Sequence, residues 1–392
     1  MHPVKPRLVR ITTVPVSLRL LLKGQMKYMK QRGFEVVMIS SPAEDIDLLE
    51  EQEECEVITL PMERKISLFK DLQALIRLKR ILKNLEPDIV HTHTPKAGLL
   101  GGFAARWAGV PVRLHTIAGL PWMEANGPIR WILKLMEKLT LLNVHRAYPN
   151  SKGLLQFLHN EGIDRKYKKL KLLGFGSSNG IDCNYFSPDS VEKAMPEDLR
   201  KNTGLTSDGW VWIFAGRLVR EKGIQELLQA FTAILNDHPS DQLWLLGEEE
   251  AERDPLRPED KKLIDNHPSI IRWGFQKDVR PYMAAADVLV FPSYREGLPN
   301  VPLQAGAMEC ALILSDINGC NEIVEDGENG LLVPPKVVDP LIEAMRKVRQ
   351  DPALRDRFGI KSRERIQSLY SREQIWKLIE GEYREMLLVV GS

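Results

Sequence analysis

Short runs of β-branched and other apolar residues, each closed by a polar, glycine or proline turn and followed by a helix-like run, recur along this chain and then begin again. That alternation constrains the fold more than any other feature, because strands that alternate with helices pair in parallel as βαβ units. The first series reads as strands at Arg7–Thr13, Glu35–Ser40, Val57–Leu60, Asp88–His91 and Val112–His115. One helix is predicted from about Leu18 to Arg32, with Gly33 as its C-cap, and another from a cap at Ser67 to about Asn84. The second series reads as Trp210–Phe214, Gln242–Leu246, Ile270–Trp273, Asp287–Phe291 and Ala311–Leu314. Between the two lies Gly174-Phe-Gly-Ser-Ser-Asn-Gly180, then Ser187-Pro188, a composition suited to a linker. At 392 residues the chain exceeds one ordinary core. The expected architecture is α/β, with two Rossmann-like domains facing across a cleft. They are predicted over residues 1–185 and 186–370, with an amphipathic last helix, 371–392, packing back on the first.

Three turns carry residues suited to chemistry. The apolar strand ending at Phe291 runs into Pro292-Ser-Tyr-Arg-Glu296-Gly297-Leu298-Pro299 and then a helical run. An acid therefore stands at a strand's carboxyl end, where open α/β sheets bind ligands, beside a helix N-terminus whose free N–H groups suit phosphate. The strand ending at Phe214 runs into Ala-Gly216-Arg217-Leu-Val-Arg-Glu-Lys222-Gly223. Arginine presents a planar fork and lysine a point charge, a pair suited to a diphosphate, and glycine lets the backbone come close. The third turn is His115-Thr-Ile-Ala-Gly119, predicted to face the other two across the cleft. Charged loops are ordinary and a lone histidine is more often structural than functional. Placement of the first two turns after successive strands of one domain, and of His115 at a strand's carboxyl end beside a glycine turn, favours the functional reading.

Charge is uneven along the chain. Residues 1–190 carry 28 Lys+Arg against 19 Asp+Glu, a balance of +9, and the rest carries 26 against 34, a balance of −8. A basic half suggests an anionic partner, although uneven surface decoration gives the same count. Arg19, Lys23, Lys27 and Lys30 fall at helical spacing, as do Arg130, Lys134 and Lys138 beside Trp131 and Leu135. Such stripes suit an anionic membrane surface, or a solvated helix face. Exposed aromatics do not interleave with these cations as nucleic-acid stacking requires, so no nucleic-acid partner is expected. No run reaches the roughly 18 apolar residues of a membrane span, and residues 1–13 lack the apolar core of a signal peptide. Cys55, Cys183, Cys310 and Cys320 have neither metal nor disulfide spacing and fit a reducing cytoplasm. The expected location is cytoplasmic, with peripheral contact on the inner face of the cytoplasmic membrane.

Taken together, Gly216–Gly223, the run Gly274–Asn300, and Asn321–Gly330 before Leu332-Val-Pro334 resemble the retaining GT-B glycosyltransferases of glycosyltransferase family 4. His91–Gly101 and His115–Trp122 resemble bacterial members that build surface polysaccharide. The resemblance covers nearly the whole chain. It implies transfer of a hexose or N-acetylhexosamine from a nucleotide sugar, a UDP-sugar, to a lipid-linked saccharide with retention at the anomeric carbon. It assigns Gly216, Arg217, Lys222, Glu296, Gly297, Leu298 and Gln304 to the donor, and His115, Arg217, Lys222 and Glu296 to the reaction centre. The first domain would bind the acceptor and the second the donor. The resemblance implies no metal and no cofactor, since protein cations and helix ends take a metal's electrostatic part, and no Asp-x-Asp stands in these turns to hold one. Two departures stand out: Gln304 replaces a second glutamate, usually on the ribose, and the first loop, Thr12–Ser17, lacks paired glycines. The alternative readings are a GT-B nucleotide-sugar epimerase and a non-catalytic nucleotide-sugar-binding partner in polysaccharide assembly.

Overall fold

The computed structural model describes residues 5–391, apart from 64–66, 124, 166–167 and 251–253. The chain forms two units, one of residues 1–180 with 372–392 and one of residues 181–371. The division at Gly180/Ile181 falls five residues before the boundary expected from sequence. The glycine-rich stretch packs on the first unit. Ser177 N–H donates to the Asn150 carbonyl at 2.7 Å, and Gln25 Nε2 donates to the Ser178 carbonyl at 3.0 Å.

The first unit has six parallel strands: β1 (Arg7–Thr12), β2 (Glu35–Ser40), β3 (Glu56–Thr59), β4 (Ile89–His93), β5 (Val112–Ile117) and β6 (Arg146–Pro149), in the spatial order β3-β2-β1-β4-β5-β6. β1, β2, β4 and β5 are buried on both faces along nearly their whole length and so show no strict apolar–polar alternation. One face packs against helix α1 (Gln25–Gln31) and the last helix; the other carries α2 (Leu68–Leu85), α3 (Pro95–Ala108) and α4 (Gly127–Asn143).

The second unit repeats the plan. Its strands are β7 (Val211–Ala215), β8 (Gln242–Leu246), β9 (Ile270–Gly274), β10 (Val288–Phe291), β11 (Ala311–Ser315) and β12 (Leu331–Val333), in the order β12-β11-β10-β7-β8-β9. Helix α5 (Asn300–Ala307) follows β10. Helix α6 (Arg372–Gly391) belongs to the first unit, where Ile375, Ile379, Tyr383 and Met386 are buried in its core.

One element differs from its sequence reading. The single helix predicted over residues 18–32 is a short π-helical turn, Ser17–Leu21, followed by α1. The break is at Gly24, whose φ of +80° leaves the helical region. The Glu53 carboxylate accepts from the N–H groups of Gly24 (2.5 Å), Met26 (3.1 Å) and Lys27 (3.2 Å), satisfying the free donors of a new helix start.

Candidate active site

Strand order fixes where a ligand can sit. In the second unit the chain goes from β7 outward through β8 and β9, then returns to place β10 on the other side of β7. The turns leaving β7 and β10 therefore diverge at the carboxyl edge of adjacent strands, the topological switch point where open α/β sheets bind ligands. The first turn carries Gly216, Arg217 and Lys222, and the second carries Glu296, Gly297 and Leu298.

The two turns are fitted to each other without space for side chains. Gly223 has φ +71°, and a Cβ there would lie 2.1 Å from the Pro292 carbonyl oxygen. Tyr294 N–H donates to the Glu221 carbonyl at 2.9 Å. Gly319, after β11, closes on the same place, since its Cβ would meet the Gly297 carbonyl oxygen at 2.0 Å. Glycine is required at both by backbone sign and by contact.

Within this frame Lys222 Nζ donates to Glu296 Oε1, with both side chains largely covered at 13% and 14% exposure. Ser293 Oγ donates to the same carboxylate oxygen at 2.9 Å. Asn318 Nδ2 holds the Glu296 and Gly297 carbonyls at 2.9 and 2.8 Å. Cys320 lies fully buried nearby, its thiol pushed well up by burial and by the Glu296 charge, and so held protonated. Gln304 lies on α5, partly exposed, and Leu298 is buried.

Arg217 is held differently. Its guanidinium donates to Glu250 at 2.7 Å and to Glu221 at 3.0 Å, and Arg295 shares Glu221 at 2.7 Å. Arg217 is thus joined to the Lys222 turn through Glu221, with its fork occupied by carboxylates. His115 lies in the other unit, two residues inside β5, at 1% exposure. Its Nδ1 is 2.8 Å from Thr92 Oγ1, and the first turn of α3 presses on the ring, where a Cβ at Gly98 would fall 2.4 Å from Cε1. Burial lowers its pKa to about 4, so the imidazole is neutral at pH 7. The structure therefore joins Lys222 and Glu296 directly and holds Arg217 on Glu221 and Glu250 instead.

At the first unit's own switch point, between β1 and β4, Thr13 and Thr94 share a hydroxyl contact of 2.8 Å. Thr12 Oγ1 is 3.0 Å from Ser40 Oγ and donates to the Val14 carbonyl at 3.0 Å, so the hydroxyls at the start of this loop are used internally. The chain has one Asp-x-Asp, Asp45-Ile-Asp47, away from the motif turns, where Asp45 pairs with Arg19. Among the described residues no group of three or more His, Cys, Asp or Glu side chains is placed to hold a metal ion.

Sequence reasoning missed Ser293, Asn318, Glu221 and Glu250. Ser293 lay inside the motif turn, three residues before Glu296. Asn318 had a weaker signal, the Asn318-Gly319 turn after β11. Glu250 comes from the turn after β8, and nothing in sequence spacing pairs it with Arg217.

Known proteins resemble this chain in both sequence and fold. Residues 210–351 match the family model described as glycosyl transferases group 1, and residues 13–151 match the one described as glycosyl transferase 4-like. The chain is 30% identical over 97% of both lengths to the capsular polysaccharide biosynthesis glycosyltransferase CapM of Staphylococcus aureus. It is 32% identical, over 74% of both lengths, to the UDP-Gal:alpha-D-GlcNAc-diphosphoundecaprenol alpha-1,3-galactosyltransferase of Escherichia coli. Among solved structures, Anabaena HepE, crystallised with UDP and glucose, superimposes with a TM-score of 0.82 at 18% identity, covering 97% of this chain and all of that one. Sucrose-phosphate synthase from Thermosynechococcus elongatus gives 0.81 at 23% identity, covering 98% of this chain and all of that one. These likenesses identify the fold as GT-B, and the relatives identify the chemistry: the chain belongs to the family 4-like, group 1 glycosyltransferases.

Proposed function

We propose that this glycosyltransferase moves a hexose or N-acetylhexosamine from a UDP-sugar to a lipid-linked saccharide in surface polysaccharide synthesis. Transfer proceeds with retention and without a metal ion. The observation that carries the donor assignment is the Lys222–Glu296 pair at the β7/β10 switch point. A cation touching a carboxylate suits a ligand in which a phosphate adjoins hydroxyl groups: Lys222 turns to the phosphate and Glu296 accepts from the sugar. The Escherichia coli relative's name specifies a UDP donor and a diphosphoundecaprenol acceptor, and HepE was crystallised with UDP. The same name specifies an α-linked product; since a UDP-hexose carries its sugar α-linked, that outcome is retention.

In this mechanism the bond between the anomeric carbon and the diphosphate oxygen breaks under the charge of Lys222 and of Arg217, once Arg217 leaves Glu250. Preorganised charge in a covered site is the largest single contribution available to such a step. The acceptor hydroxyl bonds to the anomeric carbon on the face the diphosphate leaves, and its proton passes to the departing phosphate oxygen. Glu296, steadied by Ser293, grips the sugar. Gln304 would meet the ribose as a neutral hydrogen-bonding group. His115 would lie beside the sugar as a neutral imidazole. A lipid-linked acceptor implies peripheral contact with the cytoplasmic membrane; among the described residues no helix is long and apolar enough to cross one.

The test offers a panel of UDP-, GDP- and ADP-sugars with a polyprenyl-diphosphate saccharide, with and without EDTA, and reads the new linkage by NMR. The expected result is a UDP-sugar donor, an α-linkage and full activity in EDTA. An inverted linkage refutes retention, and EDTA inhibition refutes metal independence.

A further inference from the structure

The outer faces of two helices in the first unit are apolar where solvent-facing polar residues are expected. On α4 the buried side is formed by Glu137, Thr140 and Leu141, and the opposite side presents Trp131 (67% exposed), Ile132 and Leu135. On α2 the buried residues are Ala74, Leu75, Leu78 and Leu82, and beside them Leu68 (85% exposed), Phe69, Leu72 and Ile76 form an exposed stripe. Contiguous exposed apolar surface of this kind marks an interaction site.

These two patches share one edge of the first unit. Helix α2 packs on α3 and α3 on α4, making one layer; with neighbouring axes 8–10 Å apart, the patches lie roughly 20 Å from each other. Helix α2 leaves the carboxyl edge of the sheet after β3, and α4 leaves it after β5. Both patches occupy the first half of their helix, so both flank the carboxyl edge of the first sheet, where Thr13 and Thr94 meet.

The charge around them selects the partner. Beyond Leu72, α2 carries Arg77, Lys79, Arg80 and Lys83 and no acid, while the only acid of α4, Glu137, is buried. Lys138 is exposed beside Leu135. The rest of the basic stripe read from sequence is largely occupied: Arg130 and Lys134 both bond Glu161 at 2.6 Å, and elsewhere Arg19 pairs with Asp45 and Lys27 with Glu54. Of the acids nearby, Glu63 pairs with Lys70 and Asp71 with Lys96, and Glu86 stands exposed past the end of α2. The remaining rim is cationic, and apolar surface with such a rim matches an anionic lipid surface. A second copy of this chain would bring the same cations against themselves.

We infer that the outer faces of α2 and α4 insert into the headgroup region of an anionic bilayer and hold the carboxyl edge of the first sheet against the lipid. This rests on the lipid-linked acceptor proposed above, and assigns membrane contact to apolar insertion by these two helices in place of the tied basic stripe. The test sediments the full chain with vesicles of phosphatidylethanolamine and phosphatidylglycerol, alongside the variant F69S/L72S/W131S/L135S. These four side chains are exposed, so circular dichroism and Tm should match the parent. The parent is expected to sediment and the variant to lose about tenfold or more in partitioning. Raised salt should weaken the parent by a smaller factor than the substitutions do. A parent that stays in the supernatant, a variant that sediments equally, or a parent dimer dispersed by the substitutions and indifferent to vesicles each overturns the inference. Transfer to a detergent-dispersed polyprenyl-diphosphate saccharide needs no bilayer, so its failure counts against the proposed function and not against this surface.

Discussion

Gly223 shows how a residue with no chemistry of its own sets the site. With φ at +71° and a backbone carbonyl 2.1 Å from where its Cβ would stand, any side chain must part the β7 and β10 turns. Gly223→Ala is expected to destabilise the second unit by roughly 1–3 kcal/mol and to lower turnover by moving Lys222, the residue before it. Chemical denaturation and a kinetic assay on one preparation check both; unchanged values in each would mean that the turns yield easily. The residues of these turns were legible in the sequence because their types and order make a recognisable motif. Their partners were not, since Glu250 reaches Arg217 from another loop, and only the fold brings them within 2.7 Å. His115 was legible as a histidine near a strand's end, but its burial against Thr92 and Gly98 depends on the register of β4 with β5 and on the approach of α3.

Among the elements, α4 makes a pH-dependent prediction. Glu137 points from it into the protein, one carboxylate oxygen has no hydrogen-bond partner, and burial pushes its pKa up to about 7 from 4.5. A carboxyl whose folded value is raised binds protons more tightly in the folded state. The penalty for burying its charge is therefore absent below the unfolded pKa, and stability falls as pH rises from about 4.5 to about 7. The loss is on the order of 3 kcal/mol once complete. Glu137→Gln should flatten urea-denaturation stability across that window and exceed the parent above it; parallel pH profiles would contradict this. At this scale the long apolar strands were readable, and the short ones less so. Arg146–Pro149 carries a charge and a proline, and its place as β6 is set by pairing with β5. The break at Gly24 was hidden because its cause, the Glu53 carboxylate, lies 29 residues away.

At the scale of the whole molecule, the chain's end belongs to its beginning. Tyr383 on α6 accepts from the buried Arg10 guanidinium at 2.9 Å and contacts His91 at 2.7 Å, while Ile375, Ile379 and Met386 complete the core beneath β1 and β4. Burying four such side chains contributes about 6 kcal/mol or more, comparable with the whole stability of a domain. Removing residues 372–392 should therefore unfold the first unit and leave the second folded and still stabilised by UDP. Limited proteolysis and a UDP thermal shift on the truncated chain check this, and a protease-resistant first unit would contradict it. The doubled strand–helix alternation made the two-unit plan legible, because each series needs a sheet of its own. The central claim is that Lys222 and Glu296 serve one ligand, with Arg217 as second cation. It is tested most directly by turnover, on an identified donor, of Arg217→Ala, Lys222→Ala, Glu296→Gln and the Lys222/Glu296 double variant. Each single change is predicted to cost about 10²–10³ in kcat, with the double far less damaging than the product of the two; near-parental turnover in Lys222→Ala, or full additivity in the double variant, would contradict the account.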